Sequence, residues 1–385
     1  MLAASVLDPA AAAPLRWVTS WAPSPSAAAV QDPYSLLAFP TSRVEDQSIR
    51  MVVRVTATGD QLRLRVSNRF GVAPVALGPI VVARSAGGSA VQPGSGAVLR
   101  FGGMETVKMR AGASTVSDPV AFRAATGDAL AISVHVISSG FPYTWHRDAD
   151  TVTYVSPGGS GDHTTDPTGA AYTYAAASWF WIDGVDQRAG AVGSVVVLGD
   201  SITDGTETVE SITWPALLSQ RLAGRDAVVN AGVSGNRLEG PYTNWAAGVP
   251  AIERVAPDAL DLAGVKTLIV FEGINDLAGG ATASSVISAL ATIASLAQKE
   301  HVRVLAATIT PYSEPGWTPA MEAAREQVNS WIRNARAIDG RIDFDAVLRD
   351  PTDPHRLNPL YYGDGVHPDT LGLKALADAV PLGEL

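Results

Sequence analysis

Val195-Val-Val-Leu198 runs directly into Gly199-Asp-Ser201-Ile-Thr-Asp204-Gly205, and the rest of the chain can be interpreted outward from this stretch. Four consecutive apolar residues, three of them β-branched, are typical of a strand that is buried on both faces. A helical pattern follows at Trp214–Leu222, and Pro215 suits its first turn. A strand, a tight turn and a helix would place the Ser201 hydroxyl at the carboxyl edge of a sheet, where open α/β sheets bind ligands.

The second half of the chain, residues 191–385, alternates between strand and helix patterns. The predicted strands are Val195–Leu198, Ala227–Asn230, Thr267–Glu272, Val302–Ile309 and Ile342–Phe344. The predicted helices are Ile212–Leu222, Ala246–Val255, Thr282–Gln298, Pro319–Ala337 and Thr370–Val380. This alternation predicts an α/β fold with a parallel sheet and helices on both faces.

Residues 15–190 have the pattern of an all-β domain, a sandwich or a jelly roll, with short strands and no good helix. Met51–Thr56 and Gln61–Val66 alternate with period two around a polar tetrapeptide, which predicts a hairpin. Its outward face would carry Arg54, Arg63 and Arg65, either solvated, docked on the other half, or binding an acidic polysaccharide. The boundary is expected between Gly184 and Gly193, and so short a connection should pack this domain on the carboxyl edge of the parallel sheet.

Composition bounds the function. The 385 residues suit two domains, and the net charge of −10 argues against nucleic acid or an anionic membrane as partner. Without cysteine there is no disulfide, thiolate metal site or cysteine nucleophile. No apolar run is long enough to predict membrane insertion. Residues 1–14 are rich in alanine and are interpreted as a possible export-signal remnant, so we expect a secreted bacterial protein.

Polar residues follow the predicted strands at the same sheet edge as Ser201. They lie in Asn230-Ala-Gly-Val-Ser-Gly235, Gly273-Ile-Asn275-Asp276 and Asp364-Gly-Val-His367. Acyl transfer needs a hydroxyl nucleophile, a base, a carboxylate that orients the base, and donors for the tetrahedral oxyanion. This set of residues offers each of those groups.

Gly-Asp-Ser, Asn-x-Gly-x-x-Gly, Gly-x-Asn-Asp and Asp-x-x-His, in this order, resemble the four blocks of the SGNH (GDSL) hydrolase superfamily. The resemblance implies a flavodoxin-like three-layer α/β/α domain and a serine esterase mechanism. It makes Ser201 the nucleophile, His367 the base and Asp364 the residue that orients His367. It also implies an oxyanion hole formed by Ser201, Gly235 and Asn275. The first half is similar to the β-domain that precedes SGNH domains in many actinobacterial proteins.

The expected substrate is a short-chain carboxylic ester, of a small molecule or an acetylated polysaccharide. The loops beside the site are polar and glycine-rich, and Tyr242, Trp245 and Trp317 are the candidate substrate-binding residues. No cofactor or metal is expected, and a metal site at Asp162, His163 and Asp166 is the less favoured alternative. Two alternatives stay open: a lipase or lysophospholipase for longer chains, and a carbohydrate-binding protein with an inactive SGNH scaffold. The oligomeric state is left open.

Overall fold

A computed structural model describes residues 15–28, 44–190, 192–205, 212–240 and 247–385. The possible export-signal remnant and two candidate substrate-binding residues, Tyr242 and Trp245, lie outside these ranges. Within the described ranges, no helix has both the length and the apolar character that crossing a membrane requires. Secretion stays a prediction.

The first half is β-rich, as predicted. Its strands are β1 (Arg16–Trp21), β2 (Ser26–Ala27), β3 (Glu45–Arg54), β4 (Gly59–Ser67), β5 (Val75–Gly87), β6 (Ala90–Val91), β7 (Ala97–Leu99), β8 (Val107–Met109), β9 (Ser114–Val116), β10 (Val120–Ala124), β11 (Ala129–Ser138), β12 (Thr144–His146), β13 (Thr153–Val155), β14 (Tyr174–Ala176), β15 (Trp179–Phe180) and β16 (Ile182–Ala189). One sheet has the order β1-β16-β4-β10, with β9 beside β4. A second has the order β14-β13-β3-β11-β5-β6, with β7 and β8 beside β5, and a small third sheet is β15-β12-β2.

The predicted hairpin is wrong. β3 pairs with β11 and β13, whereas β4 pairs with β9, β10 and β16 of the other large sheet. Met51 of β3 and Leu64 of β4 nevertheless share one hydrophobic core. Each strand buries one face in that core, so alternation with period two looks the same whether consecutive strands pair or cross between sheets. The predicted outward face of three arginines does not form either. Arg54 lies on β3 of one sheet, whereas Arg63 lies on β4 of the other and donates to Asp186 of β16 at 2.8 Å.

The second half forms a five-stranded sheet. Its strands are β17 (Ser194–Gly199), β18 (Ala227–Gly232), β19 (Val265–Phe271), β20 (Arg303–Ala307) and β21 (Gly340–Ile342), in the order β18-β17-β19-β20-β21. Every pairing is parallel, and Val197 of β17 lies opposite Asn230 and Ile269. The last strand is shifted from its predicted position because Asp343 caps a helix that begins at Phe344.

Helices lie on both faces of this sheet. They are α1 (Ser201–Asp204), α2 (Trp214–Leu222), α3 (Ala251–Val255), α4 (Ile274–Ala278), α5 (Ala283–Lys299), α6 (Pro319–Asn334), α7 (Phe344–Leu348) and α8 (Thr370–Ala379), with a π-helical turn at Ala256–Leu260 and 3₁₀ turns at Pro359–Tyr361 and Leu382–Glu384. Val196 and Leu198 pack with α3, α5 and α6, whereas Val195 and Val197 pack with α2, α7 and α8. Adjacent residues of β17 therefore face two different apolar layers, which explains its uninterrupted apolar sequence.

The two halves are joined by buried hydrogen bonds. The Thr19 N–H of β1 donates to the Ala263 carbonyl at 2.8 Å, and the Ser194 hydroxyl donates to the Thr19 carbonyl at 2.8 Å. The Thr56 hydroxyl lies 2.9 Å from the Val228 carbonyl of β18. The β-rich half therefore covers the edge strand β18 and also contacts the amino end of the sheet. We had expected it to pack on the carboxyl edge. Covering an edge strand satisfies backbone groups that would otherwise remain open.

Candidate active site

Ser201 sits where the buried strand β17 turns into α1. The Asp200 carboxylate accepts a hydrogen bond from the Ile202 N–H at 3.0 Å and so caps this short helix. Ser201 is largely buried, with 9% of the residue exposed. The strand and the cap together fix the direction of the Ser201 hydroxyl.

Ser201, His367 and Asp364 come together in one hydrogen-bonded line. His367 Nε2 lies 2.8 Å from Ser201 Oγ, and His367 Nδ1 lies 2.6 Å from Asp364 Oδ2. The other Asp364 oxygen accepts from the backbone N–H groups of Val366 at 2.9 Å and His367 at 2.7 Å. This arrangement holds the imidazole with Nδ1 protonated and Nε2 directed at the hydroxyl, the geometry of a base that takes a proton from serine.

Asp364 is held ionised. Burial raises the pKa of this carboxyl, but the hydrogen bonds from the His367 side chain and from two backbone amides outweigh it and lower the pKa below its ordinary value. An ionised Asp364 stabilises the imidazolium that forms when His367 accepts a proton.

The three expected oxyanion donors lie on three segments of the same sheet edge. Gly235 follows β18 in a turn with a φ of 77°, a conformation that favours glycine. The Asn275 amide, at the start of α4, donates to the Asn236 carbonyl at 2.9 Å. Among the described residues, neither the Ser201 N–H nor the Gly235 N–H has a protein acceptor, and the second Asn275 amide hydrogen has none. These donors are therefore open to an oxyanion.

Close packing beneath Ser201 keeps these segments together. A Cβ on Gly232, at the end of β18, would lie 2.4 Å from the Asp204 nitrogen of α1, so only glycine lets the two elements approach. The Asp276 carboxylate accepts from the Leu238 N–H at 2.9 Å. Asp276 therefore braces the neighbouring loop through backbone hydrogen bonds.

Sequence reasoning missed Arg254, which lies fully buried under the site on α3. Its guanidinium donates to the carbonyls of Gly199 at 2.9 Å and Ala231 at 2.7 Å, and to the Asn236 side chain at 2.8 Å. Those acceptors end β17 and β18 and begin the loop beyond Gly235. Arg254 therefore ties the nucleophile strand to an oxyanion segment. The only signal in the sequence is a charged residue on the apolar face that Ala251 and Val255 share.

Two more buried carboxyl groups lie beside Arg254. Burial raises the pKa of Asp200 to about 7, against the opposing effects of the Ile202 N–H and His367. Burial, and then the Asp200 charge, raises the pKa of Glu272 well above its ordinary value, although Arg254 donates to it at 3.3 Å. Because Asp200 and Glu272 take up protons more readily than ordinary carboxyl groups, the buried cluster around Arg254 does not carry a large excess of negative charge.

The remaining sequence candidates have separate outcomes. Trp317 stacks on Tyr312 with ring centroids 4.6 Å apart and donates to Glu322 at 2.9 Å. The N–H of Ser313, the residue after Tyr312, donates to the Gly365 carbonyl at 2.8 Å, so this stack lies near the segment that carries Asp364. Substrate binding by Trp317 stays a prediction. Asp162 and Asp166 accept hydrogen bonds from Thr164 and Thr168 of their own loop and serve as turn caps.

Residues 197–375 match the family model of the GDSL-like Lipase/Acylhydrolase family. This part of the chain belongs to the SGNH (GDSL) hydrolase superfamily. The match supports a carboxylic ester hydrolase activity in this SGNH half.

Individual relatives of the SGNH half are distant or partial. Thioesterase 1/protease 1/lysophospholipase L1 of Escherichia coli K12 is 41% identical over 49 residues, which are 13% of this chain and 24% of that protein. The chain thus aligns with about a quarter of this curated relative. A carbohydrate acetylesterase from Sinorhizobium meliloti is 13% identical over 49% of this chain and 95% of its own, with a TM-score of 0.40. An aryl esterase from M. smegmatis is 16% identical over 49% of this chain and 96% of its own, with a TM-score of 0.39.

Proposed function

We propose that the protein is a serine esterase that hydrolyses short-chain carboxylic esters through an acyl-enzyme. The observation that carries this proposal is the continuous line from Asp364 to His367 to Ser201, with separations of 2.6 and 2.8 Å. An inactive scaffold that only binds carbohydrate has no need for this alignment. The alignment therefore favours an enzyme over the binding-protein alternative.

The reaction follows from the proton positions. Ser201 Oγ attacks the ester carbonyl carbon while its proton passes to His367 Nε2. The carbonyl oxygen becomes an oxyanion that accepts hydrogen bonds from the N–H groups of Ser201 and Gly235 and from the Asn275 amide. Collapse of this intermediate breaks the bond to the alcohol oxygen, which leaves with the proton from His367. Water then attacks the acyl-serine, His367 takes the water proton and returns it to Ser201 Oγ, and the carboxylic acid departs.

The preference for short chains rests on the surface beside the oxyanion segments. A cavity of about 310 Å³ adjoins Asp276, and its polar side chains are those of Arg237, Glu239 and Ser285. Small residues, Gly240 and Gly279–Ala281, and the apolar Val286 and Ala289 complete the lining. Polar linings suit hydroxyl-bearing groups better than a long hydrocarbon chain. We therefore propose acetyl esters, with acetylated polysaccharides as a natural target, and the Trp317–Tyr312 stack as a flat surface for a sugar ring.

A second candidate is a lipase or lysophospholipase. It is favoured by the partial relative named Thioesterase 1/protease 1/lysophospholipase L1. The two candidates differ in where the acyl chain would lie, because a long chain needs an apolar channel leading away from Ser201.

The test is kcat/KM for p-nitrophenyl esters of two to sixteen carbons, with acetate release from acetylated xylan and pectin measured in parallel. We expect the highest kcat/KM at two to four carbons and acetate release from at least one glycan. Ser201→Ala serves as the matched control for background hydrolysis. A maximum at twelve carbons or more, with no acetate released, would replace this proposal by the lipase.

A further inference from the structure

His146 belongs to the β-rich half, yet it contacts the catalytic half directly. It is the last residue of β12, and its side chain is 5% exposed. Nδ1 lies 2.8 Å from the Ser24 carbonyl oxygen. Nε2 lies 3.1 Å from Asp204 Oδ1 and 3.2 Å from the Asp148 carbonyl oxygen. The ring also stacks on Trp179 at 5.3 Å, which fixes its orientation.

The contacts decide the protonation state of this ring. Both nitrogens face carbonyl or carboxylate oxygens, which only accept hydrogen bonds, so both must carry a hydrogen. The ring is therefore an imidazolium paired with the Asp204 carboxylate. Burial lowers the pKa of His146, but Asp204 and the Ser24 carbonyl outweigh it and raise the pKa to about 9.

Asp204 also binds the turn that carries Gly235. Its second oxygen, Oδ2, accepts from both the N–H and the hydroxyl of Ser234, each at 2.7 Å. Ser234 precedes Gly235, and Asp204 lies on α1, which begins with Ser201. The carboxylate thus joins the helix of the nucleophile to the turn that holds the Gly235 N–H.

We propose that His146 is a positioning residue of the esterase, an imidazolium in the β-rich half that holds Asp204 and, through Ser234, sets the place of the Gly235 N–H. The inference rests on the proposed function, in which Gly235 is an oxyanion donor. It gives the β-rich half a part in the reaction. Ser24 strengthens the link, since its hydroxyl accepts from Arg254 at 3.1 Å while its carbonyl faces His146.

Other charged groups near His146 come from three elements. Asp204 lies on α1, Arg54 on β3, and Arg147, Asp148 and Asp150 follow β12. Arg147 is paired with Asp148 at 2.5 Å. Burial raises the pKa of Asp150 to about 6, against the His146 charge. Asp150 is therefore largely ionised above pH 7, and a transition near pH 9 in this cluster is expected from His146 paired with Asp204.

A cavity of about 80 Å³ adjoins the ring and is lined by Arg54, Asp150, Asn230 and other residues of both halves. It has room for a few water molecules, which provides a route for proton exchange. When pH rises through about 9, the His146 ring loses one proton and its positive charge. Asp204 Oδ1 is then no longer held by an imidazolium. The Gly235 N–H is then less firmly placed, and turnover should fall while substrate binding changes little.

The experiment compares wild type, His146→Gln and the control His135→Gln, using an aryl acetate between pH 6.5 and 10 with buffer blanks. Gln keeps a donor near Asp204 but carries no charge and does not titrate. His135 also pairs with an aspartate in the β-rich half, Asp46 at 3.2 Å, but this pair is exposed and does not involve Asp204. We expect kcat of wild type and of His135→Gln to fall above pH 9. In His146→Gln, kcat should be about tenfold or more lower, without that alkaline limb, and with KM within about twofold of wild type.

The second readout is independent of turnover. In ¹⁵N-histidine spectra of the wild type at pH 8, one of the six histidine rings should be a slowly exchanging imidazolium that titrates near pH 9. An unchanged alkaline limb in His146→Gln, or a neutral His146 ring at pH 8, would overturn the inference. If wild type hydrolyses no ester although this ring is charged, the proposed function fails and the His146–Asp204 pair stands.

Discussion

Replacing Arg254 by methionine tests the polar cluster beneath the nucleophile. The guanidinium donates to five acceptors, namely Gly199 O, Ala231 O, Asn236 Oδ1, Ser24 Oγ and Glu272 Oε1, at 2.7–3.3 Å. A buried acceptor left unpaired costs about 1–3 kcal/mol, and removing one partner of a buried ion pair costs about 3–5 kcal/mol. These costs are not additive here. Glu272 can take up a proton, and Asp258, which lies 3.6 Å from the Arg254 guanidinium, keeps its other partner Arg69 at 2.6 Å.

We therefore expect Arg254→Met to lower the free energy of unfolding by about 3–5 kcal/mol, and to lower kcat, since two catalytic segments lose their common anchor. The assay is urea unfolding followed by tryptophan fluorescence, with kcat and KM measured below the transition. Arg254→Lys should fall between wild type and methionine, because an ammonium keeps the charge but reaches fewer acceptors.

The matched control is Arg303→Met. Its ion pair with Glu384 joins side chains that are 44% and 43% exposed, so solvent screening limits the expected loss to about 0–1 kcal/mol. If Arg254→Met unfolded within 1 kcal/mol of wild type and kept full turnover, the cluster would have no anchoring role.

Further predictions concern the triad, the oxyanion hole and the interface. Ser201→Ala and His367→Ala should each remove nearly all ester hydrolysis and leave the circular dichroism spectrum unchanged, and the double variant should be hardly worse. Asn275→Ala should lower kcat by about 10²–10³, with a smaller change in KM, in the same steady-state assay. Thermal stability should hold below pH 6.5 and fall as pH rises through 9, because the pKa of His146 is raised in the folded protein to about 9; melting curves of His146→Gln should lack this fall. Residues 191–385 expressed alone should aggregate, because removing the first half uncovers β18; a monomeric, stable fragment would show the halves to be independent.

Much of the catalytic half could be predicted from local pattern. Apolar runs such as Val195–Leu198 alternate with helix patterns, and each run became a parallel strand. The candidate site followed from four short blocks: three lie at the carboxyl ends of parallel strands, which meet at one edge of the sheet, and the fourth lies between α7 and α8. The structure brings Ser201, His367 and Asp364 within hydrogen-bond distance, as expected.

Long-range partners could not be predicted. The β3–β4 connection looked like a hairpin because the alternation of a strand does not reveal which strand pairs with it. Arg254 and His146 carry no motif, and their roles depend on acceptors such as Gly199 and Asp204, 55 and 58 residues away. The Arg254 contact arises from packing within the second half and the His146 contact from how the two halves dock, and no short stretch of sequence encodes either.

The most direct test of the central claim is the reaction of Ser201 with an organophosphonate ester. Intact mass should show one phosphonyl group per chain, and peptide mapping should locate it on Ser201. Loss of ester hydrolysis should track the modified fraction, while Ser201→Ala should stay unmodified under the same conditions. A wild-type protein that hydrolyses esters but keeps an unmodified Ser201, or loses activity through another modified residue, would contradict the account.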